Sequence, residues 1–166
     1  TGAAQTTGGF YAATMSPHSA SNPALLVQPG GSDFSPGTLT LKIVNNGTTN
    51  ITQLDVSYKL YVRNDQGRSS SFNFSHSADN STYTPVAALD YTSPTTADVL
   101  GYGLVGTKST SITGLSIAPS SVYYIRWSSA DVGGSGSRDE IGLDDITATA
   151  TFSAAATPAS DVSAAA

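Results

Sequence analysis

Carboxylates near the end of the chain have the types and spacing to bind a metal ion. Four of them fall within seven positions, and a fifth lies at the far end of the preceding loop: Asp139, Glu140, Asp144, Asp145 and Asp131. These carboxylates repel one another unless a cation balances their negative charge, and hard oxygen ligands suit Ca²⁺. The alternative is that the last acids cap backbone amides at a strand bend and pair with Arg126 or Arg138. Both interpretations stay open from the sequence.

Tyrosines suggest a second kind of site, a platform on which sugar rings stack. The candidates for exposed ligand-binding side chains are Tyr61, Tyr83, Tyr91 and Tyr102. Tyrosines are equally typical of an ordinary sheet face, so plain packing is the competing interpretation.

No motif gathers residues for catalysis. The histidines, His18 and His76, are far apart, and neither paired histidines nor a G-x-S-x-G pattern occurs. His76 shares a predicted strand face with Phe72 and Phe74, which favours a hydrogen-bonded histidine at the edge of the core. A glycosidase needs two facing carboxylic acids, and nothing in the sequence selects such a pair. We therefore expect no enzymatic activity, with a hydrolase as the least favoured alternative.

Asn-x-Ser/Thr sequons offer a modification site. Four of them occur, at Asn46, Asn50, Asn73 and Asn80. They carry glycans only if the host N-glycosylates.

Composition excludes several partners. The 166 residues carry 7 basic and 12 acidic side chains, for a net charge of −5, and the basic residues are spread along the chain. Nucleic acid and anionic membrane surfaces need clustered Lys and Arg, so neither is expected, and no apolar run approaches the ~20 residues that insert across a bilayer. The absence of cysteine and the Ser, Thr, Gly and Asp bias are usual for exported bacterial surface proteins. We expect a secreted protein, extracellular or at the cell surface.

Alternation of apolar and polar residues predicts an all-β chain. From Leu54 to Val62 the alternation is strict, which indicates a strand with one buried and one solvated face. Strong helix formers are scarce, and similar segments recur between turn residues. We predict an antiparallel β-sandwich, jelly-roll-like, of roughly eight to ten strands. The predicted domain spans 10–152, between a flexible N-terminal arm at 1–9 and an Ala/Ser-rich tail at 153–166.

The segment Arg138–Ile146 (RDEIGLDDI) resembles the end of MAM domains and of gingipain-type cleaved adhesin domains. Together with Leu39–Asn46 and Ile51–Tyr58, it resembles a secreted bacterial β-sandwich module over about Phe10 to Phe152. The resemblance implies adhesion, contact with glycan or protein, and no catalysis. It also implies a structural metal near the terminal Asp pair, with Asp139, Asp144 and Asp145 as its neighbours.

Comparable modules carry a further strand before the stretch that matches Phe10 to Ala13, whereas only nine residues precede it here. A sandwich without its first strand exposes an unpaired sheet edge, which a neighbour's arm or tail could complete. The leading hypothesis is thus a non-catalytic structural or adhesive protein that self-assembles into surface fibres by strand addition between subunits. The alternative is a calcium-supported carbohydrate-binding module of a larger secreted protein. The expected partners are copies of the chain itself or surface glycan.

Overall fold

A computed structural model describes residues 5–155 and confirms the all-β prediction. Within this range, ten strands and one short 3₁₀ helix, Ala87–Leu89, form the regular structure. The strands are β1 (Gly9–Ala13), β2 (Ala24–Gln28), β3 (Gly37–Val44), β4 (Ile51–Arg63), β5 (Arg68–Ser77), β6 (Thr84–Pro85), β7 (Tyr91–Thr92), β8 (Tyr102–Ile117), β9 (Val122–Gly134) and β10 (Glu140–Phe152).

Two antiparallel sheets pack face to face as a sandwich. The first sheet has the strand order β1-β2-β10-β4-β8, and the second has the order β3-β9-β5-β6, with β7 also pairing to β5. Consecutive strands often lie in different sheets, so the chain crosses the sandwich repeatedly. The prediction of an antiparallel sandwich is therefore confirmed.

The core lies between the inner faces of the two sheets and is centred on aromatic rings. Trp127 of β9 is fully buried, and its ring centroid lies 5.3 Å from that of Tyr58 and 5.4 Å from that of Phe74. The Tyr58 hydroxyl donates to the Leu89 carbonyl at 3.0 Å, and burial raises the pKa of this tyrosine to about 12. The edge-to-face contact between Tyr58 of β4 and Trp127 of β9 joins the two sheets, and close packing of these buried rings restricts their rotation.

The strict alternation in β4 places its apolar residues in this core. Leu54, Val56, Tyr58 and Leu60 are each 1% exposed, whereas the residues that alternate with them, Asp55, Ser57 and Lys59, lie on the outer face. β4 is also paired on both sides, to β10 and to β8, which makes it an interior strand of the first sheet.

The predicted arm and tail are described only in part. Gly9 begins β1, and the Gln5 amide donates to the Glu140 carboxylate at 2.7 Å. Residues 1–4 and 156–166 lie outside the described residues, and the boundaries at 10 and 152 stay predictions. The segment 147–152 pairs with β4 of its own domain. Completion by a neighbouring subunit stays a prediction.

We predict that Trp127→Ala lowers the free energy of unfolding by about 3–5 kcal/mol, because it removes a buried aromatic side chain and leaves a cavity. Leu104→Ala is the matched control, since Leu104 lies in β8 and is 54% exposed. Urea unfolding monitored by circular dichroism measures both variants. Equal losses of stability in the two would contradict this placement of the core.

Candidate functional site

A shallow polar groove of about 410 Å³ runs across the outer face of the first sheet. Its side chains come from the three strands β8, β4 and β10, and we call this surface the polar groove. They are Asp55, Ser57, Ser109, Ser111, Thr147 and Thr149. The surface is therefore made of five hydroxyls and one carboxylate.

Strand register brings these residues together. Asp55 lies opposite Ser111 on one side and Thr149 on the other, while Ser57 lies between Ser109 and Thr147. Directly opposed residues in antiparallel strands point to the same face, so each row places three polar side chains side by side. The groove thus forms because the polar residues of three adjacent, alternating strands all lie on the same face of the sheet.

Asp55 is held in a fixed orientation within the groove. Its Oδ1 accepts hydrogen bonds from the side-chain amide Nε2 of Gln53 at 2.8 Å and from the Ser111 hydroxyl at 2.5 Å. Among residues 5–155 no hydrogen bond to Oδ2 is formed, so this oxygen can accept one from a ligand. A charged acceptor makes stronger hydrogen bonds than a neutral one.

An ion pair stands beside the hydroxyl rows. Lys59 Nζ lies 2.6 Å from Asp145 Oδ2, and both side chains are roughly half exposed. Asp145 raises the pKa of Lys59 by hydrogen bonding. Because the ammonium is already matched by a carboxylate, the groove presents no uncompensated positive charge from this residue.

Three rings lie beyond this ion pair on the same outer face, and we call them the aromatic corner: His18, Tyr61 and Tyr102. The ring centroids of the two tyrosines are 5.4 Å apart and nearly parallel, while that of His18 lies 4.6 Å from Tyr61. His18 comes from the loop between β1 and β2, which folds over the sheet. It also approaches Asp144, with Nδ1 3.6 Å from Oδ2.

Gly142 allows Tyr102 to reach across the sheet. Tyr102 begins β8, yet its hydroxyl lies over β10, where a Cβ added to Gly142 would overlap it. Burial raises the pKa of Tyr102 far above its ordinary value. Any side chain at position 142 would therefore displace Tyr102 from Tyr61.

The prediction that the four tyrosines are exposed is wrong for Tyr61. This side chain is 5% exposed because the loop carrying His18 covers it. Tyr102 stacks beside it, whereas Tyr83 lies under Arg126, whose guanidinium carbon is 3.6 Å from the ring centroid. Tyr91 is half-buried in β7 of the other sheet. The four tyrosines therefore do not form one platform, and their role in ligand binding stays a prediction.

Asp131 is held by two arginines. Arg138 makes a bidentate pair with it, both N–O distances being 2.6 Å, and Arg68 Nη1 lies 2.6 Å from Oδ2. The Arg138 hydrogen bonds hold the pKa of Asp131 well below its usual range. The negative charge of Asp131, one of the predicted metal ligands, is thus balanced by Arg138.

Asp139 and Glu140 are buried at the start of β10. They are 0% and 1% exposed, and burial raises the pKa of both carboxyls. One oxygen of each carboxylate accepts a backbone N–H, that of Gln66 at Asp139 Oδ1 (3.1 Å) and that of Gln5 at Glu140 Oε1 (2.7 Å). The other oxygens, Asp139 Oδ2 and Glu140 Oε2, have no hydrogen-bond partner among the described residues.

The predicted calcium ligands thus have separate partners. Within residues 5–155 no group of three or more histidine or acidic side chains has the geometry to hold a metal ion. The five acids do not fit one shared site as they stand, and calcium binding stays a prediction.

The remaining sequence candidates lie away from the groove. His76 Nδ1 is 2.5 Å from the Tyr123 hydroxyl, and burial lowers its pKa, in keeping with a histidine at the core edge. The sequon asparagines, Asn46, Asn50, Asn73 and Asn80, are exposed or partly exposed, and their glycosylation stays a prediction.

Sequence reasoning missed every residue of the polar groove. Its signal was present as Ser and Thr at alternate positions of Thr107–Thr113 and of Thr147–Thr151. In a chain so rich in these residues, the pattern does not stand out until the strands are placed side by side.

No family model matches this chain, and no curated protein matches it. The resemblance to MAM and cleaved adhesin domains therefore stays a prediction. Among solved structures, the chain is similar to TmCBM61 in complex with β-1,4-galactotriose, at 12% identity and a TM-score of 0.38, over 78% of this chain and 72% of that one.

Two further solved structures are similar. One is described as CBM4 structure and function, at 14% identity and a TM-score of 0.43, over 80% of this chain and 86% of that one. The other is CBM28, a carbohydrate-binding module specific for non-crystalline cellulose, at 12% identity and a TM-score of 0.45, over 84% and 78%. No residue of the polar groove is assigned from these remote likenesses.

We predict that Glu140→Gln flattens the pH dependence of stability. Burial raises the folded-state pKa, so the native protein binds the proton more tightly than the unfolded chain does, and stability falls as pH rises above the ordinary value of 4.5. Gln keeps an acceptor for the Gln5 amide and cannot ionise. Urea unfolding between acid and neutral pH measures the slope, and an unchanged slope would contradict a raised pKa.

Calcium binding predicts a rise in melting temperature on adding Ca²⁺ and its reversal by a chelator. Saturation at about 100 times the Kd adds about 2.7 kcal/mol to the free energy of unfolding. Asp139→Asn should remove the response, whereas Asp131→Asn, at a carboxylate already held by two arginines, should retain it. A melting curve indifferent to chelator would leave these acids as structural residues.

Proposed function

We propose that this protein is a non-catalytic, extracellular carbohydrate-binding domain that holds a glycan chain in the polar groove. The observation that carries the proposal is the row-by-row arrangement of five hydroxyls around Asp55. A carbohydrate presents a hydroxyl on nearly every carbon, each able to donate and accept, and a surface of the same groups matches it.

The electrostatics of the groove favour a neutral glycan. Asp55 is an acceptor with one oxygen open to a donor, while Lys59 is matched by Asp145. An anionic polymer would meet uncompensated carboxylate and no unmatched cation in this surface. A neutral sugar hydroxyl, by contrast, can donate to Asp55 and exchange hydrogen bonds with the neighbouring Ser and Thr.

The shape of the site favours binding to a chain rather than to a single sugar end. The groove is shallow and spans three strands, and the aromatic corner lies on the same face outside it. Tyr61 is too deeply buried to offer its ring face to a sugar. Recognition would therefore rest on hydrogen bonds along the strands, which are individually weak and give modest affinity.

The other expected roles take second place. If calcium binds, it would act on stability at the buried start of β10, apart from the groove. Fibre formation, the first expectation from sequence, draws no support from the groove residues. Within the described part of the chain, no helix has the length and hydrophobicity to cross a membrane.

We predict that the double variant Asp55→Ala/Ser57→Ala weakens glycan binding at least about tenfold. It removes one charged and one neutral hydrogen-bonding group, and a tenfold loss corresponds to about 1.4 kcal/mol. Affinity electrophoresis through gels containing β-glucan, galactan, xylan or mannan identifies a binder, and isothermal titration calorimetry measures the loss.

Asn73→Ala is the matched control, because Asn73 is an exposed polar residue in β5 of the opposite sheet. Its affinity should equal that of the unmodified protein, and melting temperatures should show that all variants are folded. Retention by none of these polysaccharides, or equal loss in the control, would refute binding in the polar groove.

A further inference from the structure

Half of β10 lacks a neighbour on one side. β10 pairs with β4 along nearly its whole length, but β2 covers only Ile141 to Leu143. From Thr147 to Phe152, no strand among residues 5–155 pairs with the side facing away from β4. Backbone N–H and C=O groups on that side are left without strand partners, although β10 lies inside the strand order.

The inner face of the sandwich is also open at this point. Leu41 of β3 points inward, since it lies opposite Ile125, yet it is 36% exposed. Phe152 of β10 points inward opposite Ile51, yet it is 47% exposed. Apolar side chains directed toward the core are exposed only where a covering element is missing.

Phe152 packs beside the segment that follows β3, the strand that carries Leu41. A Cβ added to Gly47, just beyond the end of β3, would lie 2.5 Å from the Phe152 ring. Ala148 and Ala150 also point inward along β10, opposite buried residues of β4. We call this region the open slot: Leu41, Ala148, Ala150 and Phe152.

The chemistry of the open slot specifies its occupant. The unpaired backbone groups can be hydrogen-bonded by an extended strand. Side chains of that strand at every second position would face the slot residues, so they must be apolar or small. None of the slot residues is charged, so an uncharged strand fits. The segment Thr147–Phe152 is itself uncharged, extended and alternating, and its free edge is exposed.

We propose that two copies of the chain pair through this segment, β10 against β10, about a two-fold axis near Thr149. Antiparallel pairing then sets Thr147 opposite the partner's Thr151, and Ala148 opposite the partner's Ala150. Each copy supplies the strand that the other lacks, and like residues meet on like faces. Thr–Thr and small–small cross-strand pairs are favourable and permit close approach.

This contact is isologous, so it closes on itself as a dimer, unlike the head-to-tail fibre expected from sequence. The two-fold axis stands perpendicular to the sheet and keeps both outer faces on one side. The polar grooves of the two copies would then lie next to each other. The pairing itself does not depend on glycan binding, and its test needs no glycan.

Single-cysteine variants test the pairing, because the chain has no cysteine of its own. Opposed side chains near the axis have Cβ atoms about 4.5–5.5 Å apart, which mild backbone adjustment brings into disulfide range. Thr149→Cys should form a covalent dimer under mild oxidation at least about tenfold faster than a random-collision control. Ser109→Cys is that control, being an exposed outer-face residue on the β8 edge.

Analytical ultracentrifugation of the unmodified protein gives the second readout. A mass that rises toward twice the monomer value with concentration, abolished by Ala148→Lys, is the expected result. Ala148 is exposed, so the lysine should leave the fold intact, and circular dichroism checks this. A monomer at millimolar concentration, or cross-linking of Ser109→Cys as fast as Thr149→Cys, would overturn the proposal.

Discussion

The register of β4 between β8 and β10 is the constraint on which the rest of this structure depends. From Leu54 to Leu60 every second residue of β4 is buried in the core, and the residues that alternate with these lie on the outer face, which carries the groove. A slip by one position would put Asp55 in the core and Leu54 on the outer face. Burying an unpaired carboxylate costs several kcal/mol, so the energy that forms the core also fixes the chemistry of the outer face.

That outer face is buried under a loop at one end and exposed to solvent at the other. Tyr61 and Asp55 both lie on it along β4, yet Tyr61 is buried and Asp55 is not. The difference comes from the loop between β1 and β2, which lays His18 on the tyrosines and stops short of the hydroxyl rows. One continuous strand surface thus serves as packing surface and as candidate binding surface.

The fold could be predicted from sequence because alternation is local. The alternation from Leu54 to Val62 predicts which residues of this strand face the core, and it does so without knowledge of the neighbouring strands. Burial of Tyr61 could not be predicted in this way, since the covering residue, His18, is distant in the chain. Glycines obscured β8, which is one strand of 16 residues although its sequence is interrupted by turn-like positions.

The acidic segment illustrates the same limit. Neighbouring carboxylates suggest one shared ion, but residues from distant parts of the chain provide each of them with a partner of its own. Asp144 approaches His18 from the loop over the sheet, and Asp145 pairs with Lys59 from a neighbouring strand. Proximity in sequence is therefore a poor guide to which groups compensate a charge in space.

The bulge in β10 has a consequence for how this chain can change in length. Asp145 adopts a left-handed backbone, with φ of 50°, where the register shifts between Asp144 and Thr147. Asp145 is the extra residue of this bulge, and the residues after it keep the same faces relative to their partners in β4. Loss of Asp145 would leave Thr147 outward and Ala148 inward, whereas loss of one residue between Thr147 and Phe152 would reverse the positions beyond it. A deletion at the bulge should therefore be tolerated better than a deletion between Thr147 and Thr151.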